Sequence, residues 1–293
     1  MENEIKRKAL NRALRLALLA CLLSWGIFFG VESINSDLTR QNDLAAQLLT
    51  SYFGNLLAML GPALAALLLW RFIDKQSPPA FKWSRLRYYL AIAAGMLALR
   101  ALAISIGNSI EPYDTGLRNP IESYIWIIIG SSLTLGWVGG LGEELGWTAY
   151  LLSALTSSFG KIRAVFVSGI IRGFWHLPVI AWPLILEARQ GKIALNEFAI
   201  ALLTLVVFLA ISNIFFSAMM GWLWFKTESI ALAGWAHQWF DAVRDFAPLL
   251  IMGAAGSAAT ALAWSILIHL IQLVALIWLA RQERTNLKGI SPA

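Results

Sequence analysis

The chain has 293 residues, of which 58% are hydrophobic and 14% charged, with a net charge of +6 and a mean hydropathy of +0.66. Soluble domains carry about 25% charged residues, and one globular core does not absorb this much apolar surface, so the composition excludes a soluble fold and points to a polytopic membrane protein. The basic excess is read as loop charge that orients spans, not as a nucleic-acid footprint, and the single cysteine, Cys21, excludes an internal disulfide and a cysteine-rich zinc cluster.

A helix needs about 20 residues to cross the hydrocarbon layer. Apolar runs bounded by charge or turn residues predict an all-α bundle of about eight transmembrane helices, at 14–31, 45–70, 88–107, 124–156, 162–182, 198–225, 229–251 and 258–280. The first has a basic start but is followed by a poor cleavage site at Val31-Glu32-Ser33-Ile34-Asn35, so it reads as a retained anchor. Sixteen Lys and Arg fall on the N-terminal side of this map, including Lys6, Arg12, Arg71, Lys161, Lys226 and Arg281. Five fall opposite: Arg40, Arg118, Arg189, Lys192 and Arg244. The positive-inside rule then places both termini in the cytoplasm, in a multi-pass protein of the cytoplasmic membrane. Trp70, Trp126, Trp182 and Trp278 stand near span ends, as interfacial aromatics do. The 75–87 loop, with Pro78 and Pro79, reads either as resting on the anionic leaflet or as a solvated linker. No repeat or appended soluble domain is evident, and residues 1–293 read as a single transmembrane domain.

Ionisable side chains inside a bilayer are costly and mark function by default. Glu143, Glu144, His176, His237 and Asp241 are such residues, with Arg100 and Arg172 the two basic residues inside spans. Spans four and five form a hairpin turning near residues 157–161. At ~1.5 Å per residue, Glu143 lies ~21 Å and His176 ~22 Å from that turn. In span seven, His237 and Asp241 lie ~14 and ~20 Å in, four residues apart and on one face. Three helices thus aim carboxylates and imidazoles at one layer. Such a set suits hydrolysis by an activated water: a buried carboxylate takes the proton, and histidine orients the water, donates to the oxyanion or ligates a metal. Glu143, His176 and His237 could also form a shell for Zn2+ or another divalent metal, assembled from separate helices because no H-E-x-x-H is present.

These motifs carry a resemblance. Gly142-Glu143-Glu144-Leu145-Gly146-Trp147-Thr148-Ala149-Tyr150-Leu151-Leu152, then Trp175-His176-Leu177-Pro178, then Ala236-His237-Gln238-Trp239-Phe240-Asp241 resemble, in order and spacing, the motifs of the CAAX-protease and bacteriocin-processing (CPBP) family of intramembrane proteases, the type II CAAX prenyl endopeptidases among them. The likeness covers residues 124–243. It implies an endopeptidase acting on membrane protein or peptide substrates within or beside the bilayer. Carried over, Glu143 is the general base with His176, His237 and Asp241 form the oxyanion or metal side, and Glu144 is a supporting carboxylate. Two positions depart from the family pattern. Its first motif has arginine where Thr148 stands, and its second an aromatic where Arg172 stands. Thr148 lies ~14 Å and Arg172 ~16 Å from the hairpin turn, so the arginine is expected to have crossed the hairpin to pair with Glu144, with Arg100 as rival partner. An ionised Asp241, unlike the asparagine also found there in the family, cannot donate to an oxyanion.

Blander readings accompany each residue. The glutamates could cap a helix restarting after Gly139-Gly140, His176 could bond a neighbouring helix, and His237 with Asp241 could clamp two helices. Trp147, Trp175, Trp235 and Trp239 either wall off water or fill space. Gly136, Gly140, Gly142 and Gly146 suit close helix packing. His269 reads as packing or interface, and Asn213 as a helix–helix hydrogen bond. As alternatives to the protease, the same Glu, His and Asp could form the relay of a small proton-coupled carrier, or the chain could be an inactive scaffold, its family arginine replaced by Thr148.

Overall fold

The computed structural model describes residues 2–40, 44–111, 130, 134–252 and 257–288. Trp126, Arg118 and the first part of predicted span four, 124–129 and 131–133, lie outside the described residues. The described chain is all-α. α1 is Glu2–Arg40, α2 Leu44–Met59 and α3 Gly61–Leu68, the last widening into a π turn over Leu69–Asp74. After an extended stretch comes α4, Leu86–Ile110. α5 is Leu135–Glu144, which continues with π geometry through Leu145–Leu152 into α6, Ser153–Phe159. Gly160, at φ 79°, makes the tight turn into α7, Lys161–Arg189. α8 is Leu195–Thr227, α9 Ile230–Met252 and α10 Ala258–Lys288.

Among the described residues six helical stretches are long and apolar enough to cross a membrane: Asn3–Ser36, Phe53–Asp74, Leu86–Ile110, Lys161–Arg189, Leu195–Thr227 and Ala258–Arg284. The remaining two of the expected eight are the helix containing Glu143 and Glu144 and the one containing His237, Asp241, Arg244 and Asp245. Their polar residues lower their hydropathy, and their neighbours shield them. α9 packs on α5 and α4, α10 on α4 and α8, and α7 runs along α8.

The predicted second span is not one helix. Pro62 stands in the first turn of α3, and the chain breaks at Leu60. Proline lacks the N–H that would bond the carbonyl four residues back. That carbonyl belongs to Ala58, and it accepts instead from the Ser24 hydroxyl of α1 at 2.8 Å. A second polar tie joins α1 to the two π segments. Asp74 accepts from Arg12 Nε at 2.9 Å and from the Tyr150 hydroxyl at 2.8 Å, and its side chain is only 6% exposed. Asp74→Ala leaves both donors without their acceptor, and a loss of about 1–3 kcal/mol is expected. Thermal unfolding in detergent checks it; an unchanged midpoint would remove this tie from the account.

The crossing that positions the polar cluster depends on missing side chains. A Cβ on Gly140 would stand 2.4 Å from the Gly234 carbonyl oxygen, and one on Gly234 would stand 2.6 Å from Leu141 Cα. Backbone therefore meets backbone where α5 crosses α9, one turn from Glu143 and Glu144 on one side and His237 on the other.

Candidate active site

Three helices deliver the polar residues to one place. α5 brings Glu143 and Glu144, α7 brings Arg172 and His176, and α9 brings His237 and Asp241. Glu144 is fully buried, Glu143 2% exposed, Arg172 1% and His237 4%. α8 adds Phe216, whose ring lies 4.6 Å from the Arg172 guanidinium carbon and 5.0 Å from the His237 ring.

Arg172 is the hub. Its Nη2 donates to Glu144 Oε1 at 2.7 Å and to Glu143 Oε2 at 3.2 Å, and it lies 3.1 Å from His237 Nδ1. The arginine thus pairs with both glutamates across the hairpin, as the exchange with Thr148 predicts. Thr148 keeps a part: its hydroxyl donates to Glu144 Oε2. Both residues touch the same carboxylate from adjacent antiparallel helices, so the arginine can change helix while its charge stays in place. Arg100, the rival partner, is placed otherwise. Its Nη2 donates to the Arg244 carbonyl at 3.1 Å and its guanidinium lies 4.9 Å from the Trp264 ring centre.

His237 spans two carboxylates, with Nδ1 2.9 Å from Glu144 Oε1 and Nε2 3.4 Å from Asp241 Oδ2. Asp241 is held in turn by Arg244 Nη1 at 2.9 Å. His176 Nε2 stands 4.0 Å from Glu143 Oε2, and its side chain is 29% exposed. That distance is longer than a direct hydrogen bond and short enough for one water to touch both groups.

The cluster borders a cavity of about 590 Å³. Arg172, His176, His237 and Asp241 form one wall; Asn213, His269 and Gln272 face the same space from α8 and α10. Sequence reasoning set His269 aside as packing or interface and assigned Arg244 to a loop. Both line the cavity. Arg244 lies three residues beyond Asp241, on the same face, and that spacing could have found it. His269 had no such signal, because α10 is apolar around most of its circumference. Trp147 and Trp175 pack together at 5.6 Å in one core cluster, and Trp235 stacks on Trp239 at 5.4 Å in the other.

The donor set does not fit a divalent metal. A zinc ion needs ligand atoms at about 2.0–2.3 Å with lone pairs turned toward it. Here a guanidinium nitrogen already stands against Glu143, Glu144 and His237, and both His237 nitrogens face carboxylates. Among the described residues no group of three or more His, Cys, Asp or Glu is placed to hold a metal ion.

Residues 125–243 match the family model of type II CAAX prenyl endopeptidases, described as Rce1-like. The match takes in α5 to α8 and α9 through Val243, the segments that carry Glu143, Glu144, Arg172, His176, His237 and Asp241. No curated protein matches the chain. Over residues 125–243, then, the chain is similar to the core of the CAAX-protease family, the relationship its three motifs indicate.

Proposed function

We propose that the protein is an intramembrane endopeptidase that hydrolyses peptide bonds of membrane-associated substrates with a water held between Glu143 and His176. The observation that carries this reading is the 4.0 Å gap between Glu143 Oε2 and His176 Nε2 beside a cavity of about 590 Å³. In this reading Glu143 takes a proton from the water and the oxygen adds to the scissile carbonyl carbon. As the C–N bond breaks, the proton on Glu143 passes to the leaving nitrogen. His176 orients the water. Glu144 holds Arg172 and His237 in place, and Asp241 orients His237. No step runs through a metal.

The substrate is a membrane protein or peptide segment, presented from the bilayer to the cavity. The protein sits in the cytoplasmic membrane with both termini inside, as the distribution of loop lysines and arginines supports. The whole chain acts as one transmembrane domain around the 124–243 core.

One contact favours a second reading, a catalytically silent relative: Arg172 Nη2 lies 3.2 Å from Glu143, the proposed base. One experiment decides between the two. Purified protein in nanodiscs is given a membrane-anchored peptide library, and products are read by mass spectrometry, with and without chelator. The expected result is cleavage by the wild type, insensitive to chelator, and a loss of at least about 10³-fold in Glu143→Gln and about 10²-fold in His176→Ala. Cleavage retained in Glu143→Gln would end the endopeptidase mechanism; no cleavage by any form would favour the silent relative.

A further inference from the structure

Every polar contact of Arg172 with Glu143, Glu144 and His237 runs through one nitrogen, Nη2. Nε is buried without a hydrogen-bond partner. A guanidinium has five N–H donors in a rigid fork, and a charged donor buried without an acceptor is unfavourable. Yet this side chain, 1% exposed, lines the cavity, and Phe216 lies against its flat face at 4.6 Å. The guanidinium is held firmly through one of its three nitrogens.

Three of the neighbouring polar residues, Asp241, His237 and Thr148, are committed. Ionised Asp241 accepts and does not donate, and its two oxygens face Arg244 and His237. Both His237 nitrogens face carboxylates, and the Thr148 hydroxyl donates to Glu144. Arg172 is the arginine that contacts Glu143 and Glu144, and its Nε remains without an acceptor.

We propose that Arg172 makes this cavity a binding site for an anionic tetrahedral group, and that in peptide hydrolysis it is the catalytic residue that receives the oxyanion. The second half of this rests on the endopeptidase reading; the first does not. As the water oxygen bonds to the carbonyl carbon, the C=O π pair moves onto oxygen, and the Arg172 N–H groups take that charge by hydrogen bonding. When the carbonyl re-forms, the pair returns and the amine departs with the proton from Glu143. The guanidinium gives up no proton at any stage. Such donors act most strongly where water is excluded.

The test compares a peptidyl phosphinate, a stable tetrahedral anion, with the uncharged peptide amide of the same sequence. Both are titrated in nanodiscs against the wild type, Arg172→Lys, Arg172→Gln and Glu143→Gln. Wild type and Glu143→Gln are expected to prefer the phosphinate by at least about 10-fold. In Arg172→Lys the preference is expected to fall close to unity. A lysine keeps the charge, and with it the pairing to the glutamates, but has no Nε donor or planar fork. Arg172→Gln is expected to do the same if it remains monodisperse, and Arg172→Lys decides the matter if it does not. With a cleavable peptide, Arg172→Lys should lower kcat about 10²–10³-fold with KM unchanged. A phosphinate preference that survives in Arg172→Lys, or faster cleavage by that variant, overturns the proposal. Failure of every form to cleave, with an Arg172-dependent preference intact, defeats the endopeptidase reading and leaves the anion site standing.

Discussion

Glu144→Ala is expected to destabilise the bundle by about 3–5 kcal/mol, while Glu143→Gln leaves it folded. The two carboxylates are adjacent in sequence and almost equally buried, so burial alone does not separate them. Their partners do. Glu144 accepts from Arg172 at 2.7 Å and from the Thr148 hydroxyl, and it lies 2.9 Å from His237 Nδ1. Removing it leaves a guanidinium nearly inaccessible to solvent with one carboxylate in place of two, and takes from His237 its shorter contact. Breaking a buried ion pair from one side is the costly case, and here it leaves Arg172 with only its longer contact, to Glu143 at 3.2 Å. Glu143 has a longer contact to Arg172, 3.2 Å, and faces His176 across 4.0 Å. Glutamine keeps its shape and one acceptor oxygen, so about 1 kcal/mol is expected there. Thermal unfolding in detergent, followed by the fluorescence of the 14 tryptophans, measures both. Equal destabilisation by the two changes would show that the glutamates do not divide structural from chemical duty.

The sequence made this cluster legible through simple geometry. An antiparallel hairpin with a fixed rise per residue brings Glu143 and His176 to one depth, and the same counting put Arg172 beside Glu144. Residues four apart on a helix share a face, which joined His237 to Asp241. What escaped the reading depends on rotation and on backbone details that carry no code in residue type. Pro62 marked a break, but the apolar run around it concealed the mark. Nothing in Leu145–Leu152 announces a π segment, although such segments recur at functional sites. The face that α10 turns to the cavity could not be read from a helix apolar on nearly every side, so His269 was read as packing or interface and Gln272 was not singled out. Arg100 sits at a depth that allowed it to compete for the glutamates. Its direction, toward Trp264 and the Arg244 carbonyl, was set by packing that no spacing rule contains.

Gly140→Leu is expected to abolish the site without touching any of its polar residues. The new Cβ would lie 2.4 Å from the Gly234 carbonyl oxygen, and the Gln238 backbone nitrogen would be 3.2 Å away. The obstacle is backbone, not the end of a flexible side chain, so rotamer changes do not relieve it. α5 and α9 must part, and overpacking of this kind costs about 1–3 kcal/mol in a tight core. The functional loss is larger than the structural one. Glu144 rides on α5 and His237 on α9, and their 2.9 Å contact spans this crossing. A separation of ~1 Å breaks that contact, draws both glutamates away from His237, and can lower a rate about 10²-fold. Gly140→Ala makes the control, since it introduces the same Cβ and nothing beyond it. If the Cβ itself is the obstacle, alanine should lose most of what leucine loses. Near wild-type cleavage and phosphinate binding in Gly140→Ala would mean that the helices yield at this point, and the close crossing would no longer explain why the carboxylates and His237 meet.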